Sequence, residues 1–395
     1  MHAFPLEEIR SRIARLQSLM AHDDVDAALI VQRADLYYLS GTGQDAHLFV
    51  PREGNPLLMV RKSLERAIED SPFAHITAIQ NISDVRERIA EAFPGPFKTL
   101  GMELDVLPVN LFRKYEEVFP EAAIVDVSPA VRAVRMVKSP LELGLIRKAA
   151  EMNASMFSAA GELLEEGMTE MEFAGLLEAH YRKLGHQGYV RVRGFNQEVF
   201  YGHVMSGPSL AVPSCSVGPT GGPGPNPSFP QGAGPRRIGR HEPVSVDFVG
   251  VWQGYAVDQA RTYFLGQPPE KFRRAHEKAL EIQNRIVSAG IPGTRAEDLY
   301  DLAVEIAQEA GLREGFLGHP QPVAFVGHGV GLELDELPVL GRRSPHVLEP
   351  GMVVAIEPKF IFPGEGLAGI ENTFVVTEHG MERLTLLDDS IRVVG

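Results

Sequence analysis

Four carboxylates and one histidine stand where chemistry needs them. Asp247 lies in Val244-Ser-Val-Asp-Phe-Val249 and Asp258 in Gly254-Tyr-Ala-Val-Asp-Gln-Ala-Arg261. His328 is flanked by glycines in Val326-Gly-His-Gly-Val-Gly-Leu332, Glu357 closes Val353-Val-Ala-Ile-Glu-Pro358, and Glu371 sits in Gly369-Ile-Glu-Asn-Thr-Phe-Val375. An ionised carboxylate in an apolar strand is costly unless its charge is compensated. Four such acids with few bases nearby ask for a cation, and one metal ion or two would supply it. Asp247 and Asp258 are eleven positions apart across Trp252-Gln-Gly254, a predicted turn, so a hairpin brings both onto one face. Glu357 and Glu371 are fourteen apart, on predicted neighbouring strands. An oxygen-rich set with one imidazole suits Mn²⁺, Fe²⁺, Co²⁺ or Zn²⁺. If some of the carboxylates bridge, the set holds two ions, which acidify the water between them and polarise a carbonyl. That is a hydrolase site.

The elements that position these residues fall into two groups. Residues 1–135 read as a small α/β domain. Ile9, Ile13, Leu16 and Met20 have helical spacing over 6–21, and Ala27–Val31 is a buried strand. His47–Val50 and Leu57–Val60 flank the turn-rich Pro51-Arg-Glu-Gly-Asn-Pro56 as a hairpin. Further strands are predicted at His75–Ile79, Leu100–Glu103 and Ala123–Val127. An α+β domain follows over 139–395, opened by the capping box Ser139-Pro-Leu-Glu142. Thr169-Glu-Met-Glu172 and Thr294-Arg-Ala-Glu297 repeat that pattern. The order helix, helix, strands then occurs twice, and the metal-type residues fall on the strands of both halves. Between the halves, residues 208–235 carry eight prolines and many glycines, so neither helix nor strand is expected there. Two readings stand: a loose surface insertion, or a lid over the site.

The totals narrow the function. A chain of 395 residues with 44% hydrophobic content has ample material for a core. A net charge of −14 argues against a nucleic-acid partner, since no basic surplus offsets phosphates. The single cysteine, Cys215, excludes an internal disulfide framework and a thiolate metal cluster and fits a cytoplasmic protein. No secretory pattern opens the sequence and no membrane span is expected.

The motifs Val246-Asp-Phe-Val-Gly-Val-Trp-Gln-Gly-Tyr-Ala-Val-Asp-Gln-Ala-Arg-Thr262, Gly327-His-Gly-Val-Gly-Leu332, Ala355-Ile-Glu-Pro358 and Ile370-Glu-Asn-Thr373 resemble those of the pita-bread metallopeptidases. That family includes methionine aminopeptidase, Xaa-Pro aminopeptidase, prolidase and the metal-free creatinase. The resemblance implies a creatinase-like N-terminal domain, a pita-bread catalytic domain and a homodimer. It further implies two divalent ions, manganese favoured, bridged by Asp258 and Glu371. Asp247 would bind one ion, and His328 and Glu357 the other, with Glu357 also shuttling a proton. The implied reaction is hydrolysis of a peptide bond near a peptide N-terminus, as in Xaa-Pro peptidases.

Two departures touch the pocket rather than the metal ligands. A second histidine is usual after the Gly-His-Gly motif, and Asp335 takes its place. An upstream histidine is replaced by Ser214. Asp335 suits a substrate ammonium or guanidinium, and His203 is a candidate replacement for a missing histidine. These losses keep open a creatinase-like C–N hydrolase, a metal-dependent lyase and a catalytically silent binding protein. Arg261 is expected to pair with a ligand carboxylate.

Overall fold

The computed structural model describes residues 3–395. Met1 and His2, where the expected N-terminal domain begins, lie outside the described residues. The chain divides into two compact units, one ending at Arg135 and one spanning Met136–Gly395.

In the first unit, helix α1 (Leu6–His22) buries Ile9, Ile13, Leu16 and Met20 on one stripe, as helical spacing demands. A six-stranded sheet holds β1 (Ala27–Ile30), β2 (Ala46–Pro51), β3 (Leu57–Val60), β4 (Ile76–Ala78), β5 (Thr99–Met102) and β6 (Ala123–Asp126), in the order β4-β3-β2-β1-β5-β6. β1–β2 and β2–β3 pair antiparallel; the other pairs are parallel. Parallel neighbours need long crossovers. Helices α2 (Arg33–Ser40), α3 (Leu64–Asp70), α4 (Ile82–Ala92) and α5 (Val109–Val118) lie in the connections, and α6 (Ser128–Met136) follows β6. Leu29, Phe49, Met59, Ile89 and Leu100 form the core between sheet and helices.

The second unit repeats one plan twice. Helices α7 (Pro140–Leu163) and α8 (Glu170–Lys183) precede β7 (Gly202–Ser206), β8 (Val244–Trp252) and β9 (Tyr255–Leu265). Helices α9 (Glu270–Ala289) and α10 (Ala296–Glu309) precede β10 (Phe325–Gly329), β11 (Glu336–Gly341), β12 (Val353–Ile356), β13 (Lys359–Phe362), β14 (Gly366–Gly369), β15 (Asn372–Thr377), β16 (Gly380–Arg383) and β17 (Arg392–Val394). The first half's β7, β8 and β9 form a sheet that β17 extends, in the order β17-β9-β8-β7; the second half gives a sheet ordered β11-β10-β12-β15-β16, and β13 and β14 pair separately. Phe157, Phe173 and Leu177 of α7 and α8 pack on Val246, Phe248 and Tyr263. Ile282, Ile286 and Leu299 of α9 and α10 pack on Val354, Ile356 and Phe374. The sheets meet where the Ala260 and Glu371 amides each donate to the other's carbonyl, at 3.3 and 3.4 Å.

The capping boxes at Ser139 and Thr169 are present, each side chain accepting from the amide three residues on. The third is not. Helix α10 is preceded by Arg295 with no side-chain cap, and the Thr294 hydroxyl donates to the Ala289 carbonyl. Arg295 bridges to Val347, so a tertiary pairing fixes the helix entry where a local cap was expected.

The Pro/Gly segment holds a turn of helix where none was expected. Gly207–Ala211 forms one 3-10 turn, compatible with proline near its start. Beyond it, backbone bonds stitch the chain to itself: Gly222 to Val212 at 2.9 Å, Gly232 to Gly221 at 2.7 Å and Gly224 to Gly232 at 3.2 Å. The Gly234 amide donates to the buried Glu170 carboxylate at 2.9 Å. Gly224 has φ +67°, and a Cβ there would lie 2.1 Å from the Phe229 carbonyl oxygen. Glycine is required for that close approach.

Candidate active site

The hairpin β8–β9 turns through Gln253 and Gly254, both at positive φ, the two-residue turn that matches strand twist. Its register sets Val249 opposite Asp258 and Asp247 opposite Ala260. Directly opposed residues share a face, and so do residues two apart. Asp247 and Asp258 are therefore diagonal neighbours on one face. The other sheet brings His328 of β10 beside Ala355 of β12, with Glu357 just past the end of β12 and Glu371 just before β15. The Ala260–Glu371 pairing then closes the two sheets onto a common site.

All five expected residues converge, with Asp258, His328, Glu357 and Glu371 buried. His328 Nε2 lies 3.8 Å from Asp258 Oδ2, 3.9 Å from Glu371 Oε1 and 4.0 Å from Glu357 Oε1. These separations exceed hydrogen-bond range. Donors about 2.1 Å from one shared ion lie at most twice that apart, so the gap is ion-sized. One oxygen or nitrogen from each of Asp258, His328 and Glu371 lies within 4.8 Å of the others. His328 Nδ1 lies 3.2 Å from the Leu334 carbonyl and 3.1 Å from that of Gly329. A proton on Nδ1 leaves the Nε2 lone pair facing the gap.

A sixth residue, absent from the expectations, alters the site. Lys359 is 3% exposed, and its Nζ donates to Asp247 Oδ2 at 2.8 Å, Glu357 Oε2 at 2.8 Å and Glu371 Oε2 at 2.9 Å. An ammonium has three protons, and all three are used. Lys359 follows Glu357 by two positions, which on extended chain puts both on one face. That period-two relation was the signal in the sequence. Asp247 gives Oδ2 to that ammonium, and Asp258 Oδ1 accepts from the Gln259 amide. Glu357 and Glu371 are the residues that turn one oxygen to Lys359 and one toward His328.

The electrostatics follow from burial and crowding. Burial, then Glu371 and Asp247, holds the Asp258 carboxyl well above the usual carboxylate range. Burial also raises Glu371; Lys359 opposes this, and Glu357 and Asp247 add to it. Burial disfavours a charged Lys359, but Asp247, Glu357 and Glu371 outweigh it and raise its pKa. Burial alone would lower His328; Asp335, Glu357 and Asp258 reverse the sign.

The remaining candidates divide. His203 lines the cleft opposite Asp247 in the β7–β8 register. Burial lowers its pKa against the pull of Asp247, so it is a neutral imidazole. Asp335 also lines the cleft, half-exposed, with Oδ1 3.6 Å from His328 Nδ1. Ser214 does not reach the wall. Its Oγ accepts from Ser216, and Ser216, Val217 and Thr220 line the cleft instead. Part of the Pro/Gly segment thus forms a wall of the site. The cavity, about 80 Å³, accepts a small side chain or several waters at roughly 10–15 Å³ each. Arg261 does not pair with a ligand carboxylate; it binds Asp389 and backbone carbonyls, including that of Glu371 at 2.9 Å.

The family model described as metallopeptidase family M24 matches residues 144–378, more than half the chain. The chain belongs to metallopeptidase family M24. The creatinase/prolidase N-terminal domain model matches residues 12–137 of this metallopeptidase. The Xaa-Pro dipeptidase of Pyrococcus furiosus is 28% identical over 379 residues, covering 95% of this chain and 98% of that protein. Among solved structures, the prolidase from Pyrococcus horikoshii has a TM-score of 0.80 at 27% identity, covering 96% of this chain and 99% of that one. The X-Pro aminopeptidase from Thermotoga maritima has a TM-score of 0.80 at 26% identity, covering 96% and 100%. The metallopeptidase therefore has a creatinase-like N-terminal domain and an M24 pita-bread domain. Its family implies divalent metal. The His328 side of the site fits an ion; the Asp247 side already holds an ammonium. Among the described residues, no helix is long and apolar enough to cross a membrane.

Proposed function

We propose that this metallopeptidase hydrolyses short peptides at an Xaa-Pro bond next to a free N-terminus. The observation that carries the reading is the ion-sized gap among His328 Nε2, Asp258, Glu357 and Glu371 at the floor of a narrow cleft. The curated relative named Xaa-Pro dipeptidase supports the substrate class. A divalent ion bound there, manganese favoured among Mn, Fe, Co and Zn, supplies Lewis acidity and acidifies water. Glu357 takes a proton from the attacking water and passes it to the leaving amine. His203 presents a neutral imidazole from the opposite wall for the substrate carbonyl. Asp335 receives the substrate's terminal ammonium. A homodimer and a cytoplasmic location belong to the same reading; the exposed, unpaired Cys215 suits a reducing compartment.

The test is a panel of Xaa-Pro dipeptides, longer Xaa-Pro peptides and non-proline peptides offered to Mn²⁺-loaded protein. Cleavage of the proline substrates supports the reading. Ion-loaded protein that leaves every peptide intact overturns it and moves a non-peptidase C–N hydrolase or lyase to the front, a reading that Asp335 and Ser214 at the usual histidine positions favour.

Two expectations follow. Asp335→Asn is expected to raise KM about fivefold with kcat little changed. A charge-assisted bond contributes about 1.5–3 kcal/mol, and the half-exposed position reduces that to about 1 kcal/mol. An unchanged KM would remove Asp335 from substrate binding. Second, loading ion-free protein with Mn²⁺ is expected to expel protons, fewer as the pH is raised. Asp258, Glu371 and His328 all have raised values in the ion-free state, and each must lose its proton to bind metal. Apparent affinity then climbs as pH rises toward those values. Calorimetry in buffers of different ionisation enthalpy reads the release directly.

A further inference from the structure

We infer that the centre binds a single divalent ion, on the His328 side, and that the Lys359 ammonium permanently takes the place of a second. The inference rests on the arrangement of the side chains and does not depend on which amide is cleaved.

The first support is the use of the oxygens. Glu357 and Glu371 each give Oε2 to Lys359 and turn Oε1 toward His328. A pair of glutamates facing two cations in this way is the arrangement of a bridged two-ion site, with an ammonium at one of the two positions. Asp247 completes the ammonium's shell at 2.8 Å and makes no contact with His328 Nε2 among those that line the gap. A metal at the Asp247 side would have to displace a cation that already makes three charge-assisted bonds.

The second support is that the fold makes room for this lysine. Lys359 opens β13 and pairs with Gly369 of β14. A Cβ at Gly369 would stand 2.7 Å from Lys359 Cγ and 2.8 Å from the Pro358 carbonyl oxygen. The bare glycine lets the lysine stem run inward beneath it. The Lys359 carbonyl accepts from the Leu317 amide at 2.9 Å, which fixes the backbone from which the stem departs. The side chain is 3% exposed, so solvent is not an alternative place for the ammonium.

The third support is charge. Four carboxylates, one ammonium and one divalent ion leave a single net negative charge in the centre. A second divalent ion beside the ammonium would leave a net positive one, with three cations packed around shared oxygens. Like charges at such separations in a dry site are strongly unfavourable.

Metal stoichiometry tests this without any substrate. Full-length protein is stripped with chelator, reloaded with excess Mn²⁺, desalted and measured by plasma mass spectrometry. About one ion per chain is expected, with an isolated six-line Mn²⁺ electron paramagnetic resonance spectrum. Lys359→Gly is expected to double the content to about two per chain and to give an exchange-coupled spectrum, since paired ions sit about 3.5–4 Å apart. Two ions or a coupled spectrum in the unaltered protein would overturn the inference, as would no bound ion. A folded Lys359→Gly protein that stays at one ion would also overturn it. Should that variant fail to fold by circular dichroism, the spectrum of the unaltered protein decides alone. A protein with one ion that cleaves no peptide would defeat the peptidase reading and leave this inference standing.

Discussion

Glu357→Ala is expected to lower kcat on the best Xaa-Pro substrate by about 10²–10⁴-fold, the usual contribution of a positioned acid–base group, while the fold survives. The carboxylate is 5% exposed and lies against both the Lys359 ammonium and the space before His328. It is the carboxylate placed to exchange a proton with water beside the ion and still be steadied by a fixed cation. Its loss leaves Lys359 with Asp247 and Glu371 as partners, so no buried cation is stranded. It also removes one of the charges that push Glu371 upward, so repulsion in the ion-free protein falls. Thermal melts should therefore stay close to those of the unaltered protein. Metal content measured on the same sample separates a lost base from a lost ligand, and Glu357→Gln, which keeps the size and one acceptor oxygen for either Lys359 or the ion, still lacks the base. Full activity in either variant would sink the role given to Glu357.

The parts of this site that were legible in the sequence are those with a local period. Asp247 and Asp258 sit in alternating strands around a Gln-Gly turn, and the register that joins them follows from that turn alone. His328 between glycines reads as strand backbone under close approach. A Cβ at Gly327 would lie 2.4 Å from the Ala355 carbonyl oxygen, which explains the glycine. Lys359 was equally legible in principle, two residues from Glu357 on extended chain. A lysine after proline at a strand start reads first as a solvated edge charge, and only the Gly369 opposite it turns the stem inward. What had no period could not be read. Residues 208–235 are ordered by carbonyl–amide bonds between positions such as Val212 and Gly222, and no side-chain pattern encodes those. The failed cap at Thr294 has the same origin: a strand-like bridge from Arg295 to Val347 overrides a local motif that was present in full.

Arg261→Ala is expected to destabilise the catalytic domain by about 3–5 kcal/mol, the range for breaking a buried ion pair from one side. Arg261 is 1% exposed, and burial draws its pKa down to about 10, still far above neutral, so it is buried as a cation. Its guanidinium donates to the carbonyls of Ala260 and Glu371 at 2.8 and 2.9 Å, to Asn372 Oδ1 at 2.8 Å and to the Asp388 carbonyl at 2.9 Å, and pairs with Asp389 at 3.1 Å. Alanine takes one donor from each of these acceptors; Ala260 and Glu371 keep each other's amides, Asn372 keeps Thr385 and Asp389 keeps Arg383, while the lost charge-assisted bonds each contribute about 1.5–3 kcal/mol. The position matters as much as the count. Ala260 and Glu371 are the pair through which the two sheets join, and Arg261 clamps both of their carbonyls. Loosening that seam moves Glu371 relative to Asp258, so the ion-sized gap should widen and Mn²⁺ affinity should fall with stability, although Arg261 touches no carboxylate of the centre. Urea unfolding of ion-free protein measures the first effect and calorimetric titration with Mn²⁺ the second. A variant with lowered stability and unchanged Mn²⁺ affinity would show that the two sheets hold the centre without this clamp. A variant with both unchanged would remove Arg261 from the architecture of the site.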